Sequence, residues 1–150
     1  MTTDYIGARD EIFARFLTDW KAGSAAIVGY IPEIRWQDES EPDKPGKEKY
    51  WARLSINTGV TEQATLSACV TEPFKKRFET EGFAYVQLFG PKSDAKAKQL
   101  LDQLALLAQK AFRKTSLSVC YLNATIKELP AEEQFWRRNV RTEFYYGEIG

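Results

Sequence analysis

The sequence predicts an α+β fold, in which two helices pack on one face of a mostly antiparallel sheet. Two stretches have the periodicity of amphipathic helices, and the segments between and after them alternate like strands or are rich in β-branched and aromatic residues. Their order along the chain is helix, a group of strands, helix and two strands. The chain has 150 residues, the length of one ordinary domain, and contains no internal repeat. We therefore expect a single domain over residues 1–150.

The first helix is predicted to begin after Asp4, whose carboxylate can cap it, and to run to about Trp20. Its apolar side chains recur at spacings of one, three and four residues, which places them on one buried stripe. These side chains are Ile12, Phe13, Phe16, Leu17 and Trp20. Gly23 and Ser24 are expected to end the helix.

A short apolar segment and a long polar one follow the first helix. Ile27–Ile34 is apolar but contains Pro32, which cannot donate a ladder hydrogen bond, so we expect an edge strand or an irregular extended segment. Gln37–Lys49 holds five acids, three lysines, two prolines and one glycine, with no hydrophobic residue. Because such a stretch has nothing to bury, it predicts a long exposed loop.

Strand-like alternation begins at Tyr50–Gly59 and predicts a half-buried strand. One face is predicted to carry Ala52, Leu54 and Ile56, and the other Trp51, Arg53, Ser55 and Asn57. Thr58 and Gly59 are expected to break this strand. A weaker strand is then predicted at about Glu62–Val70.

The centre of the chain contains the strongest strand and the second helix. Pro73–Glu81 is polar with phenylalanines at helical spacing, which predicts a short helix or a linking loop. Gly82–Pro91 is rich in aromatic and apolar residues and has the highest β-propensity in the chain. Ser93 or Asp94 is expected to cap a helix that runs to about Arg113 with a broad stripe of alanine and leucine.

Two final strands are predicted near Ser118–Leu129 and Gln134–Tyr146, joined by a loop at Pro130–Glu133. One side of the last strand is expected to carry Trp136, Arg138, Val140, Thr142, Phe144 and Tyr146. The other side is expected to carry Phe135, Arg137, Asn139, Arg141, Glu143 and Tyr145. Since neither side is wholly polar, we expect both to be partly covered.

The composition argues against most kinds of active site. The chain has no histidine, which excludes a Ser-His-Asp triad, a Cys-His pair and an imidazole base that titrates near neutrality. Zinc sites lose their commonest nitrogen ligand for the same reason. The glycine-rich phosphate-binding and metalloprotease motifs are also missing from the sequence. We therefore expect a protein that is not an enzyme and needs no cofactor.

The sequence also bears on the cellular environment. Its apolar runs are far shorter than the roughly 20 residues that span a bilayer, and its N-terminus lacks the pattern of a signal peptide. We expect a protein that is neither exported nor bound to a membrane. Cys69 and Cys120 are expected to be buried free thiols in a reducing cytosol rather than a disulfide.

Acids are clustered in the predicted loop, at Asp38, Glu39, Glu41 and Asp43. A calcium loop needs ligands at fixed alternating positions, a glycine at its turn and a bidentate acid at its end. The prolines of this stretch and the missing final acid break that register. A solvated loop is therefore preferred to a cation site.

Arginines and aromatic residues are interleaved in the last predicted strand, where Arg137, Arg138 and Arg141 lie close to Trp136 in sequence. This mixture is typical of surfaces that bind single-stranded nucleic acid and of protein–protein interfaces. The net charge of zero favours the protein interface, because nucleic-acid binders depend on a positive excess. Ordinary sheet packing with an arginine face in water is a third interpretation.

Taken in order, these segments resemble the tail terminator, or tail completion, proteins of long-tailed bacteriophages, which include the lambda-type minor tail protein U. The likeness lies mainly in residues 34–107. It rests on extended IPEIRWQ, the polar loop, YWARLSI, a strand at Gln63, and GFAYVQLFGP leading directly into SDAKAKQLLDQL. The marker positions are Gly82 and Pro91, which bound the aromatic-rich strand, and the helix Ala95–Ala108.

The resemblance implies a structural, non-enzymatic minor tail protein used in virion assembly by a phage or prophage. Subunits of such proteins form a hexameric ring on the end of the tail tube, stop tube polymerisation and provide the surface to which the head attaches. The implied partners are further copies of the chain, the tail tube protein and head-completion or connector proteins. The implied location is the virion tail, after assembly in the host cytoplasm. Whether the isolated chain is a monomer is left open.

Three alternatives remain beside this interpretation: another head–tail connector or joining protein, a single-stranded nucleic-acid-binding module and, least favoured, an enzyme that works through carboxylates. On the tail-terminator interpretation, the predicted interface comprises residues of the charged loop and of the last strand. They are Asp38, Glu39, Lys44, Lys47, Lys49, Trp136, Arg137, Arg138 and Arg141.

Overall fold

A computed structural model of the protein describes residues 3–36, 48–63, 77–114 and 118–149. Its elements are α1 (Tyr5–Val28), β1 (Glu33–Trp36), β2 (Trp51–Gln63), β3 (Arg77–Pro91), α2 (Ala97–Ala111), β4 (Cys120–Glu132) and β5 (Phe135–Ile149). The strands form one sheet in the order β1-β2-β3-β5-β4. Only the β1–β2 pair is parallel among the described strands. Both helices pack on one face, which confirms the predicted α+β fold.

The first helix begins where predicted and ends later. The Asp4 carboxylate accepts a hydrogen bond of 2.7 Å from the Gly7 amide, as an N-cap does. The predicted end at Gly23 and Ser24 is wrong, because Gly23 serves close packing: a Cβ there would lie 2.7 Å from Leu107 Cδ1 of α2. The helix stops at Gly29, whose φ of +86° suits the left-handed residue that follows a helix.

The edge strand predicted after the first helix is present but short. Ile27 and Val28 belong to α1, and the strand itself covers only residues 33–36, beside β2. Trp20 holds the segment just before this strand, because its indole Nε1 donates a 3.1 Å hydrogen bond to the Pro32 carbonyl. The predicted loop Gln37–Lys49 lies outside the described residues up to position 47.

β2 and β3 are both longer than predicted. The alternation in β2 is confirmed, since Ala52, Leu54 and Ile56 are all buried. β2 passes through Thr58 and Gly59 without ending, and the predicted break is instead a shift of register against β3. The helix or loop predicted up to Glu81 is wrong for residues 77–81, because β3 pairs with β5 throughout that stretch and with β2 at residues 78–80. Of the predicted weaker strand, only residues 62 and 63 are described, and they belong to β2.

The second helix starts later than predicted, at Ala97, and ends at Ala111. Asp94 lies in the turns before it, and its Oδ1 accepts a 2.9 Å hydrogen bond from the Lys96 amide. Its Oδ2 accepts a 2.7 Å hydrogen bond from the Tyr50 hydroxyl, which ties the start of α2 to the start of β2. The Lys96 amide and the Tyr50 hydroxyl hold the pKa of the Asp94 carboxyl below its usual value.

The last two strands form a tight hairpin. Most of the predicted Pro130–Glu133 loop is part of β4, and Glu132 pairs with Phe135. Only Glu133 and Gln134 remain in the turn, where Glu133 adopts a φ of +53°. The prediction that Cys120 is buried is wrong, because it lies exposed at the start of the edge strand β4. Cys69 lies outside the described residues.

The main core lies between the helices and one sheet face. Phe16 of α1 stacks on Phe112 beyond the end of α2, with ring centroids 6.2 Å apart, and lies 5.2 Å from Trp20. Beneath them, Val86 and Val140 of the central strands are fully buried. No helix in the described part of the chain is long and apolar enough to cross a membrane.

Candidate interface on the open sheet face

The sheet face opposite the helices, which we call the open face, carries no described helix. A small aromatic cluster nevertheless lies on it, consisting of Trp51, Phe89 and Phe135, each at most 2% exposed. Trp51 stacks on Phe89 with ring centroids 3.9 Å apart and planes 7° from parallel. Phe135 meets both rings edge-on, at 5.9 Å and 6.3 Å. The cluster is separate from the main core and forms the base of the open face.

Arginine side chains lie over these and other rings of the open face. The Arg53 guanidinium is 5.4 Å from the ring centroids of both Trp51 and Phe89. Arg35 lies 5.7 Å from Trp51, and Arg141 lies 5.1 Å from Phe83. Contacts within about 6 Å are cation–π interactions, worth roughly 0.5–1 kcal/mol each at exposed sites. The guanidinium groups are therefore held in place over rings on the sheet surface.

The predicted cluster in the last strand is divided between two faces, because neighbouring residues of a strand point to opposite sides. Arg137 and Arg141 lie on the open face. Arg137 donates a 2.8 Å hydrogen bond to the Pro130 carbonyl. Trp136 lies on the helix side, with the Lys98 ammonium group only 4.3 Å from the centroid of its ring.

Arg138 is also on the helix side and is 6% exposed. Its Nε donates a 2.9 Å hydrogen bond to the Asp102 carboxylate of α2, and its Nη2 lies 3.8 Å from the Glu128 carboxylate. A buried arginine with these partners positions α2 against the sheet. It is not presented on the surface where Arg141 is exposed.

The other predicted interface residues belong to the stretch Gln37–Lys49, for which the sequence predicts a loop. Lys49 precedes β2, and its ammonium group lies 4.7 Å from the centroid of the Tyr30 ring. Asp38, Glu39, Lys44 and Lys47 lie outside the described residues.

Sequence reasoning missed the arginines of β1 and β2 that share the open face with the last strand. Arg35 and Arg53 are opposite each other in the β1–β2 pair, and Arg53 is opposite Gln87 in the centre of the sheet. The alternation of β2 placed Arg53 on the correct face together with Trp51. The pairing order that carries them toward Arg141 is not readable from local periodicity.

Charge is segregated along the open face. The rows of the sheet next to β3 residues 85–89 form a region that we call the arginine end, and those next to residues 79–83 form the glutamate end. The arginine end contains Arg35, Arg53, Arg137 and Arg141. The glutamate end contains Glu62, Glu79, Glu81 and Glu143.

Some of these charges are paired within their own end of the face. Arg35 lies 3.6 Å from the Glu33 carboxylate, and Arg137 lies 3.5 Å from that of Glu132. At the margin of the glutamate end, Arg77 lies 3.7 Å from the Glu79 carboxylate. Arg53 and Arg141 instead lie over aromatic rings, so the cationic patch is centred on them.

The glutamate end contains an open groove of about 350 Å³. Its apolar lining includes Val60, Leu122 and Tyr145, and Glu81 and Glu143 also line it. A hydrogen bond with the Cys120 thiol raises the pKa of the Tyr145 hydroxyl above its usual value. The groove thus combines apolar surface with two carboxylates.

The described residues contain no group of three Cys, Asp or Glu side chains that could hold a metal ion.

Comparison with known proteins defines the fold only. No family model and no curated protein matches the chain. A solved structure is similar to this chain, with a TM-score of 0.59 and 14% sequence identity. The similarity covers 93% of this chain and 95% of the chain in that structure. At that identity, the similarity establishes a shared fold and says nothing about function.

Proposed function

We propose that this protein is a structural subunit that assembles into a ring on the end of a phage tail tube. The ring ends tube polymerisation and provides the surface to which the head attaches. The proposal combines the resemblance of residues 34–107 to tail terminator proteins with one observation: the open face. Arginine and aromatic side chains, which this face carries, are enriched at protein–protein interfaces relative to the rest of a protein surface.

The charge arrangement supports a ring in particular. A ring needs two different patches on every subunit, because each copy contacts its neighbours head to tail. The arginine end and the glutamate end are surfaces of opposite sign, so the open face can hold two different contacts on a chain whose net charge is zero. Such a chain avoids the long-range repulsion that copies of a strongly charged subunit would have.

Electron microscopy of polymerised tail tubes mixed with the purified protein tests this function. We expect density at one tip of each tube with the native chain. The variant Arg53→Ala/Arg141→Ala should reduce tip occupancy at least tenfold, because it removes guanidinium groups held over Trp51 and Phe83. Arg9→Ala is the matched control, since Arg9 also lies over aromatic rings but on α1.

If the double variant shows unchanged density at the tips, the open face is not part of the interface. Absence of the native protein from every tip would overturn the proposal. Binding of the native protein to phage heads instead of tube tips would favour the alternative of a head–tail joining protein.

A single-stranded nucleic-acid-binding module is the second candidate, and one observation favours it. Phe83 and Tyr85 are half-buried on the open face, with their ring centroids 6.2 Å apart and Arg141 exposed beside them. Bases stack on such rings while arginine pairs with phosphate.

A labelled oligonucleotide distinguishes the two candidates. A ring-forming subunit should show no binding at about 0.15 M salt. A nucleic-acid-binding module should bind, lose affinity steeply with salt, and lose it further in Arg141→Ala. Arg138→Ala is unsuitable for this purpose because Arg138 is buried against Asp102.

A further inference from the structure

We propose that the groove at the glutamate end receives the outer face of α2 from a second copy of the chain. This inference rests on the proposed ring and names one of its contacts. Leu106 would enter the groove, and Lys110 would lie against its carboxylates. Each subunit would then use the groove on its open face and α2 on its other face.

The groove has the surface that an apolar side chain needs. Three of its lining residues are large hydrophobic side chains exposed to solvent: Val60 at 59%, Leu122 at 50% and Tyr145 at 41%. They come from three different strands, so the groove crosses the sheet instead of following one edge. A cavity of about 350 Å³ is wide enough for a leucine side chain and the stem of a neighbouring lysine.

The carboxylates of the groove favour a cationic occupant. Glu81 is exposed, and Glu143 is half-buried with its Oε2 2.5 Å from the Asn123 side-chain amide that donates to it. An apolar segment that carries a positive charge therefore matches the groove better than an acidic or wholly polar one.

The outer face of α2 has this combination. Leu106 is 47% exposed, although the other face of the helix is packed in the core. Lys110 follows one turn later on the same exposed face, so the two side chains are neighbours. Residues 92–114 as a whole carry six lysines and arginines against two aspartates, so the helix region is cationic in a chain of zero net charge.

The position of the two surfaces dictates the kind of assembly. The groove lies on the open face and α2 covers the opposite face of the same sheet. One pair of subunits cannot satisfy both surfaces of both partners about a two-fold axis. The contact is therefore head to tail, and it continues from copy to copy until the rotation closes a ring.

Two variants that each lose one half of the contact test this inference. The groove variant is Glu81→Lys/Glu143→Lys, and the helix variant is Leu106→Ser/Lys110→Ser, which leaves no charge on α2 that could pair with the lysines of the groove variant. Sedimentation velocity over a wide concentration range should show association of the native chain, with at least a tenfold weaker association of each variant alone. An equal mixture of both variants should form a 1:1 dimer that grows no further, because one intact groove meets one intact helix.

Matched controls separate the contact from general effects of charge. Ile6→Ser/Lys21→Ser makes the same kind of change as the helix variant at exposed positions of α1, and Asp10→Lys/Glu48→Lys makes the same charge reversal as the groove variant away from the groove. Both controls should associate like the native chain. Far-UV circular dichroism should show all four variants folded.

The outcomes distinguish this contact from the proposed function. Native association that survives in both variants would overturn the contact and leave the ring to form through other surfaces. A native chain and a mixture that both stay monomeric at every concentration would overturn it as well, while tip binding to tail tubes still tests the function separately. Continued growth of the mixture beyond a dimer would show that the contact is not head to tail.

Discussion

Replacing Trp51 by alanine should lower the free energy of unfolding by about 3–5 kcal/mol, the range for truncating a buried large aromatic side chain. Trp51 is 1% exposed, stacks on Phe89 at 3.9 Å and meets the edge of Phe135. Its loss leaves a cavity beneath Arg35 and Arg53, so that Arg35 loses the ring beneath it and Arg53 keeps only that of Phe89. Urea denaturation followed by far-UV circular dichroism measures this change without depending on tryptophan fluorescence.

Trp136→Ala is the matched control for this experiment. Trp136 is half-buried on the helix side of β5, where Lys92 and Lys98 cover its ring. Its truncation should cost about 1 kcal/mol. If Trp51→Ala costs no more than the control, the aromatic cluster is not a second core and the open face lacks a rigid base.

Local patterns predicted those elements whose determinants lie within a few residues of each other. Asp4 caps α1 through an amide three positions away, and the alternation of Ala52, Leu54 and Ile56 depends only on the pleat of one strand. The leucine and alanine stripe of α2 is likewise a property of one helix. These features persist because burial and local hydrogen bonding favour the same conformation.

Distant contacts decided the features that local patterns missed. Gly23 looks like a helix terminus, yet α1 continues because the glycine makes room for Leu107 of α2. Residues 77–81 look polar and helical, yet strands on both sides supply their backbone partners. A pattern within one segment contains no information on either neighbour.

The candidate site depends even more on pairing between distant segments. The arginines of the last strand predict an interface, but alternation alone does not say which side of that strand meets α2. Arg138 contacts Asp102 on the helix side, while Arg141 lies over Phe83 of the neighbouring strand. Only the pairing register places Arg53 at the same end of the sheet as Arg137 and Arg141. The open face can therefore be recognised only from the assembled sheet.

Gly82 is the second position where a small change should have a large effect. Its neighbours leave no room for a side chain: a Cβ would lie 2.5 Å from the Asn57 carbonyl oxygen and 2.6 Å from Phe144 Cζ. Gly82→Ala should therefore lower the free energy of unfolding by up to about 3 kcal/mol, as overpacking of a tight site does. The backbone oxygen is held in the sheet and cannot move aside as a flexible side chain would.

Gly147→Ala is the matched control, because Gly147 lies in the adjacent strand and a Cβ there would approach nothing closer than 3.7 Å. Alanine at position 147 should change the free energy of unfolding by no more than about 0.5 kcal/mol. β-Propensity alone would make both replacements similar, so the difference between them in thermal or urea denaturation isolates the close approach at Gly82. Equal effects would mean that β2 can withdraw from β3 at no cost. Since Gly82 lines the groove beside the register shift of β2, such freedom would also remove the fixed shape on which docking of Leu106 depends.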